Sequence, residues 1–308
     1  MVLATSRTNL DAAAGEDRVL RLPDGRGLGF AEYGDPAGSP VLAFHGMPGC
    51  RYMFRLVHEP ALRLGLRIVA PDRPGFGLSD FQPNRTLAAW GSDVRQLADS
   101  LGLDRFAVAG ISGGGPYVAA CAALLPDRVA AAALVSPVGP LRAPEGPDRL
   151  PPAQVLAFRL LPQFTPAMRL AFFGGRLGFL HAPDAMYRAV MKRAGPADAS
   201  ILSRPEIRKN ILESVVEGLR PGARGVVQEM KIFSDPWNIP FAAITAPAML
   251  WQGTADNNVP VLASYRLAQI IPNCELFRIE GAGHYWIFDH VEEVLTAVRQ
   301  KLDGARQL

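Results

Sequence analysis

Residues 107–115, Ala107-Val108-Ala109-Gly110-Ile111-Ser112-Gly113-Gly114-Gly115, decide how the rest of the chain is read. An apolar run suited to a buried strand ends in Gly-x-Ser-x-Gly, and helix-compatible residues follow at once. A serine on a sharp strand-to-helix turn sits in strained backbone, so the positions two before and two after it must lack bulk. Gly110 and Gly114 meet that need. Ser112 then projects its hydroxyl from the turn, and the Gly113 amide at the helix start faces the same spot. Taken alone, the motif is common by chance and also suits a plain small-residue loop, so its weight comes from the remaining sequence.

The 308 residues can bury a large core, as one long domain or as a core with an insertion. Hydrophobic residues make up 49% and charged residues 20%, which excludes wholesale disorder. The net charge of +3 is too small to imply a nucleic-acid partner, and no Lys/Arg run with interleaved aromatics occurs. Cys50, Cys121 and Cys274 are an odd, scattered set without metal-site spacing, and read as reduced, mostly buried thiols. Met1 to Arg18 has neither the apolar core nor the cleavage site of a secretory signal, and reads as a partly disordered lead-in. Phe106 to Leu125 is apolar enough to imitate a membrane span, but three consecutive glycines and Pro116 interrupt it. A buried strand followed by a buried helix accounts for it better, with no stable membrane insertion. A cytoplasmic location is expected.

Strand and helix signals alternate on both sides of Ser112. Arg18–Leu22 and Gly27–Tyr33, separated by Pro23-Asp24-Gly25, form an expected opening hairpin. Val41–Phe44 is a strand, Arg51–Leu64 a helix, and Arg67–Ala70 a strand. Thr86–Leu101 has helical periodicity, with Leu87, Trp90, Val94, Leu97 and Leu101 on one face. Phe106–Gly110, Pro116–Leu125 and Ala131–Val135 follow as strand, helix, strand. Ala248–Gln252, Leu262–Ile270, Glu275–Ile279 and Val291–Lys301 resume the alternation. The pattern predicts an α/β fold: a mostly parallel central sheet flanked by helices.

Between these halves, residues 138–240 change character. Pro137, Pro140, Pro144, Pro147, Pro151 and Pro152 lead the chain away from the sheet. Helices with apolar faces follow, carrying 14 Lys+Arg and 9 Asp+Glu, about +5 against about −2 for the remainder. Pro151 to Pro183 contains Arg159, Arg169 and Arg176 and no acid. Two readings fit: helices packed on a core with arginines reaching to water, or a cap whose apolar underside lines a pocket. The second divides the chain into a core (1–137 and 241–308) and a helical cap insertion (138–240). Both cap ends should then emerge near the catalytic face, with Phe172 and Phe173 as candidate substrate-binding residues.

Nucleophilic serine chemistry needs a base, an orienting acid and donors for a developing oxyanion. Glu280-Gly281-Ala282-Gly283-His284 places a histidine just after an expected strand on a glycine-rich loop. His58, His181 and His290 read as surface or packing residues. Asp256, beyond the Gly253 turn, follows the previous strand. An aspartate there is usually a turn or cap residue, but it stands after Ser112 and before His284. Phe44-His45-Gly46-Met47-Pro48-Gly49 follows a strand and can turn the Met47 amide toward that of Gly113; an ordinary Pro-Gly turn is the alternative. His45 reads as a buried loop organiser.

These segments together resemble the α/β-hydrolase superfamily, in family order and spacing across most of the chain: His45 to Gly49, Pro71 to Ser79, Gly110 to Gly114, Gly253 to Asp256, and Gly281 to His284. The resemblance implies that Ser112 is the nucleophile, His284 the base and Asp256 its orienting acid, with the Met47 and Gly113 amides as the oxyanion hole. It implies hydrolysis of a carboxylic ester or related acyl bond of a small, hydrophobic substrate, with no metal and no cofactor. The Asp72–Ser79 loop is expected to support the active-site rim. Gly113 stands where many relatives carry methionine or another bulky residue, and is expected to widen the pocket floor. Epoxide hydrolases and haloalkane dehalogenases of this fold use an aspartate at the elbow, which Ser112 disfavours. Carbon–carbon bond hydrolases, thioesterases, aminopeptidases, acyltransferases and cofactor-free perhydrolases keep a serine and stay open, as does a non-catalytic ligand-binding member. The natural substrate and the oligomeric state are not legible.

Overall fold

Alternation of side chains along each short apolar strand sends odd and even positions to opposite faces, and both faces here are covered. The computed structural model describes residues 15–305. The first strands, β1 (Arg18–Arg21) and β2 (Gly27–Gly34), form the expected antiparallel hairpin. Next come β3 (Ser39–Phe44), a 3₁₀ segment (Arg51–Val57) running into α1 (His58–Arg63), and β4 (Leu66–Pro71). Helix α2 (Leu87–Ser100) is capped by Thr86, whose Oγ1 accepts the Ala89 N–H at 3.2 Å. Strand β5 (Phe106–Ile111), α3 (Gly115–Leu124) and β6 (Val129–Val135) complete the first half. Every residue of α3 from Gly115 to Ala123 is buried, which explains why this stretch imitates a membrane span. No helix among the described residues is long and apolar enough to cross a membrane.

The intervening segment is helical: α4 (Pro152–Val155), α5 (Thr165–His181), α6 (Pro183–Ala194), α7 (Ala199–Leu202), α8 (Pro205–Gly218) and α9 (Arg224–Ser234). Strand β7 (Ala248–Gly253), α10 (Val261–Ile270), β8 (Cys274–Ile279) and α11 (Ile287–Ala305) close the chain. The described residues form one eight-stranded sheet in the order β1-β2-β4-β3-β5-β6-β7-β8, parallel from β4 to β8 and antiparallel at β1/β2 and β2/β4.

The strand order reverses at β3. From β3 the chain crosses to β4 on one side and later returns to β5 on the other, so the loops leaving β3 and β5 diverge side by side. In open α/β sheets a ligand crevice forms at such a switch point. Leu42, Phe44, Val108 and Leu250 face α2, α3 and α10 in one core layer; Val41, Ala43, Ala107 and Met249 face the opposite layer with α11.

Two expectations need correction, and a third falls mostly outside the described residues. The 138–240 segment leaves the sheet at the catalytic edge but does not return there. Because β6 and β7 are parallel neighbours, the chain must descend to the opposite edge, and Trp237, Ile239, Phe241, Ile244 and Ala246 are buried in the core on the way. Residues 1–14 of the expected lead-in lie outside the described residues, but its end is tied to the fold. The Gly15 N–H donates to Glu32 O at 2.8 Å, and Asp17 accepts from the buried Arg51 guanidinium at 2.6 and 2.7 Å. Arg51–Leu64 is split between 3₁₀ and α geometry rather than forming one helix.

Candidate active site

Ser112 has φ +54°, a left-handed conformation that costs a non-glycine residue about 1 kcal/mol and marks a strained turn. The turn is so tight that a Cβ on Gly114 would lie 2.2 Å from Phe44 O. The neighbouring loop runs through Gly46 and Met47. A Cβ on Gly113 would stand 3.0 Å from Met47 Cβ and 3.3 Å from the Met47 backbone nitrogen, so the two amide-bearing residues are packed directly together. Gly113 therefore does not widen the pocket floor: Met47 and Phe233 fill that space, Phe233 at 3.3 Å, and Gly113 is absent from the cavity lining.

The β3 loop is held from beneath. His45 is fully buried; its Nε2 accepts the Arg73 N–H at 3.1 Å and its Nδ1 donates to Gly46 O at 2.8 Å. Burial, then the Arg73 charge, holds its pKa well below the usual histidine value, so it is neutral with the proton on Nδ1. The Arg73 guanidinium donates to His45 O and to Gly46 O, and its Nε donates to Glu229 Oε1 of α9 at 2.6 Å. Asp72 accepts from the Arg51 N–H and Nη1, both at 2.6 Å, and from the Leu78 N–H at 2.9 Å. The 72–79 loop is thus a buried polar brace under the site.

His284 and Asp256 come from the loops after β8 and β7. His284 Nδ1 lies 2.7 Å from Asp256 Oδ2, and both residues are buried. Asp256 Oδ2 also accepts from Gln252 Nε2 at 3.0 Å; Oδ1 accepts the Asn258 and Val259 N–H groups at 2.7 and 3.1 Å. Burial alone would raise the Asp256 pKa. The His284 charge and hydrogen bond, with the two backbone N–H groups, outweigh it and hold the carboxyl below its ordinary value.

Ser112, Met47 and His284 line one cavity of about 470 Å³, with α5, α6, α8 and α9 supplying most of its remaining wall. Its lining includes Met47, Met53, Met168, Met186 and Met230, side chains that adapt to irregular apolar shapes. Phe172 lies in this wall. Phe173, expected beside it, does not: it is 53% exposed, one residue and so about 100° further round α5. Arg193 also borders the cavity and, among the described residues, bonds only neutral oxygens of Asn258, at 3.2 and 3.3 Å.

Sequence motifs single out neither of two further contributors. Asp198, fully buried, accepts the backbone N–H groups of His284 and Tyr285, each at 2.8 Å. Burial holds its carboxyl above the usual range despite these bonds. It sits in a Gly-Pro-Ala-Asp turn far from the glycine-rich loop it serves, and no local signal marks it. Gln252 had a signal: a polar residue in the otherwise apolar strand Ala248–Gly253. Among the described residues, no group of three or more His, Cys, Asp or Glu is placed to hold a metal ion.

A family model described as the alpha/beta hydrolase fold matches residues 39–291. Epoxide hydrolase A of Mycobacterium tuberculosis is 28% identical, over 92% of this chain and 97% of that protein. The 2-hydroxy-6-oxononadienedioate/2-hydroxy-6-oxononatrienedioate hydrolase 1 of Dechloromonas aromatica is 26% identical, over 94% and 95%. An esterase structure from Thermogutta terrifontis superposes with a TM-score of 0.68 at 22% identity, covering 94% of this chain and 99% of that one.

Proposed function

This chain belongs to the alpha/beta hydrolase family, and from that premise we propose that it is a serine hydrolase cleaving a carboxylic ester or related acyl bond of a small, hydrophobic substrate. The observation that carries the reading is Ser112 at φ +54°, lining the same apolar cavity as a histidine whose other nitrogen is 2.7 Å from a buried carboxylate. In this reading Ser112 Oγ attacks the carbonyl carbon while His284 Nε2 takes its proton. Asp256 keeps the His284 proton on Nδ1 and stabilises the imidazolium that forms. The Met47 and Gly113 N–H groups donate to the oxyanion. His284 returns the proton to the departing alcohol, then activates water to release the acid. Residues 138–240 act as a cap over this site, the last of them already descending into the core.

The proposed serine nucleophile also argues against epoxide opening, the activity named for the Mycobacterium relative. Attack on an alkyl carbon by a carboxylate gives an ester that water can cleave at its carbonyl. Attack by serine would give an ether with no such exit. A second reading, carbon–carbon bond hydrolysis, has support from the Dechloromonas relative and from Arg193, a cation at the cavity without a carboxylate partner among the described residues. It uses the same serine on an oxo acid with a negatively charged end. Fluorophosphonate labelling, followed by turnover of matched esters, thioesters, amides and 2-hydroxy-6-oxodienoates, tests both readings. Labelling absent at Ser112 would reject the assigned nucleophile; turnover of the oxodienoates alone would reject the ester reading.

A further inference from the structure

Helix α5 is apolar on two sides. Met168, Phe172, Gly175 and Phe179 face the cavity, whereas Leu170, Phe173, Leu177 and Leu180 are 73%, 53%, 38% and 41% exposed. The exposed set recurs at intervals of three, four and three, one continuous stripe on a helix. The turns before α5 add Leu156, Leu160, Leu161 and Phe164. Eight of the eleven exposed large apolar side chains among the described residues therefore fall between 156 and 180, so the exposure is concentrated rather than scattered.

The charge on this stretch has one sign. From Arg149 through Pro183 there is no Asp or Glu, while Arg149, Arg159, Arg169 and Arg176 are present. None of these four pairs with a carboxylate among the described residues. At about 100° per residue, Arg169 and Arg176 border the apolar stripe along one side. Of the acids flanking the stretch, Asp184 pairs with Arg208, whereas Asp148 directly precedes Arg149 in sequence, so the unbalanced charge rests on Arg159, Arg169 and Arg176.

A second copy of the chain would fit the apolar stripe but not the charge. A two-fold contact would set this arginine-bearing surface, whose own segment carries no acid, against itself. An anionic lipid surface satisfies both features, with leucine and phenylalanine entering the headgroup boundary and arginine meeting the phosphates. We propose that the outer face of α5, with the turns at 156–164, docks on an anionic lipid surface, lying in its plane rather than spanning it. This goes beyond the hydrolase reading and does not depend on it. The docked face and the cavity wall are opposite sides of one helix, separated by its diameter of about 10–12 Å.

Flotation of the full chain with vesicles tests the proposal. The protein should float at low salt with vesicles of equal parts phosphatidylcholine and phosphatidylglycerol, and not with phosphatidylcholine alone. Arg169→Gln and Arg176→Gln should each weaken binding about fivefold. Leu170→Ser and Leu177→Ser should each weaken it about tenfold, with the thermal midpoint unchanged. The arginine variants keep the test decisive if a leucine variant fails to fold. Failure of the wild type to float overturns the proposal. Binding indifferent to both arginine changes overturns it, as does a dimer in light scattering that Leu170→Ser dissolves.

Discussion

The Asp198 carboxylate grips the loop that carries His284: Oδ2 accepts the His284 backbone N–H and Oδ1 that of Tyr285, both at 2.8 Å. The contact joins the turn before α7 to the proposed catalytic base. It also explains Gly283, where a Cβ would lie 2.2 Å from Asp198 Oδ2. Each bond to a charged acceptor contributes about 1.5–3 kcal/mol, which offsets part of the cost of burying the carboxylate, although burial still holds its pKa above the ordinary value. If His284 is the base, Asp198 is a positioning residue.

Asp198→Asn keeps the shape but accepts only one of the two N–H groups, turning an NH₂ toward the other. Its kcat on a soluble ester should fall about tenfold to a hundredfold with KM nearly unchanged, while the lost buried bond lowers the thermal midpoint by a few degrees. A loss of stability with kcat intact would assign Asp198 a purely structural role.

Ser112 joins the proposed nucleophile to backbone strain, and two substitutions separate them. Ser112→Ala should lose turnover by a factor on the order of 10⁴ to 10⁶ with stability unchanged, since alanine inherits the positive φ. Ser112→Gly should be equally inactive yet more stable by about 1 kcal/mol, because glycine adopts that conformation freely. Urea unfolding of the two variants checks this; equal stabilities would argue that the turn is unstrained.

The Asp256 carboxyl is held below its ordinary value of 3.8, although burial opposes this, by the His284 charge and by hydrogen bonds from His284, Val259 and Asn258. A depressed folded-state value means that its stabilisation is present above the unfolded value and is lost as pH falls through the folded one. The difference in unfolding free energy between wild type and Asp256→Asn should accordingly narrow as pH drops below about 4. Urea titrations at successive pH values read it. A gap that persists undiminished in stronger acid would mean that the pair does not hold this proton equilibrium.

The legible parts of this molecule were those written in local periodicity or in residues adjacent along the chain. Leu87, Trp90, Val94 and Leu97 marked the buried face of α2, and all four are buried. Gly110 and Gly114 marked a turn whose tightness the Gly114–Phe44 approach reproduces. What stayed hidden depends on contacts between distant segments. Asp198 lies 86 residues from the His284 amide that it serves, and Glu229 lies 156 from Arg73. The helix faces of the 138–240 segment were hidden for another reason. With Phe172 and Phe173 adjacent on a helix that is apolar on both sides, hydrophobicity could not say which one faces the cavity.

That pair supplies a further test. Phe172 is in the cavity wall and Phe173 is half exposed on the other side of α5. If the cavity takes the acyl chain, kcat/KM on p-nitrophenyl esters should rise from acetate toward octanoate by at most about fourfold per methylene, the equivalent of about 0.8 kcal/mol for each CH₂ removed from water. The rise should stop when the space of about 470 Å³ is filled. Phe172→Ala enlarges that space, so its optimum should move to longer chains while acetate turnover changes little. Phe173→Ala removes a side chain outside the wall, and its chain-length profile should match the wild type. Identical shifts in both variants would mean that α5 responds as a whole rather than through its inner face. A wild-type preference for acetate that neither variant alters would place the acyl group outside this cavity.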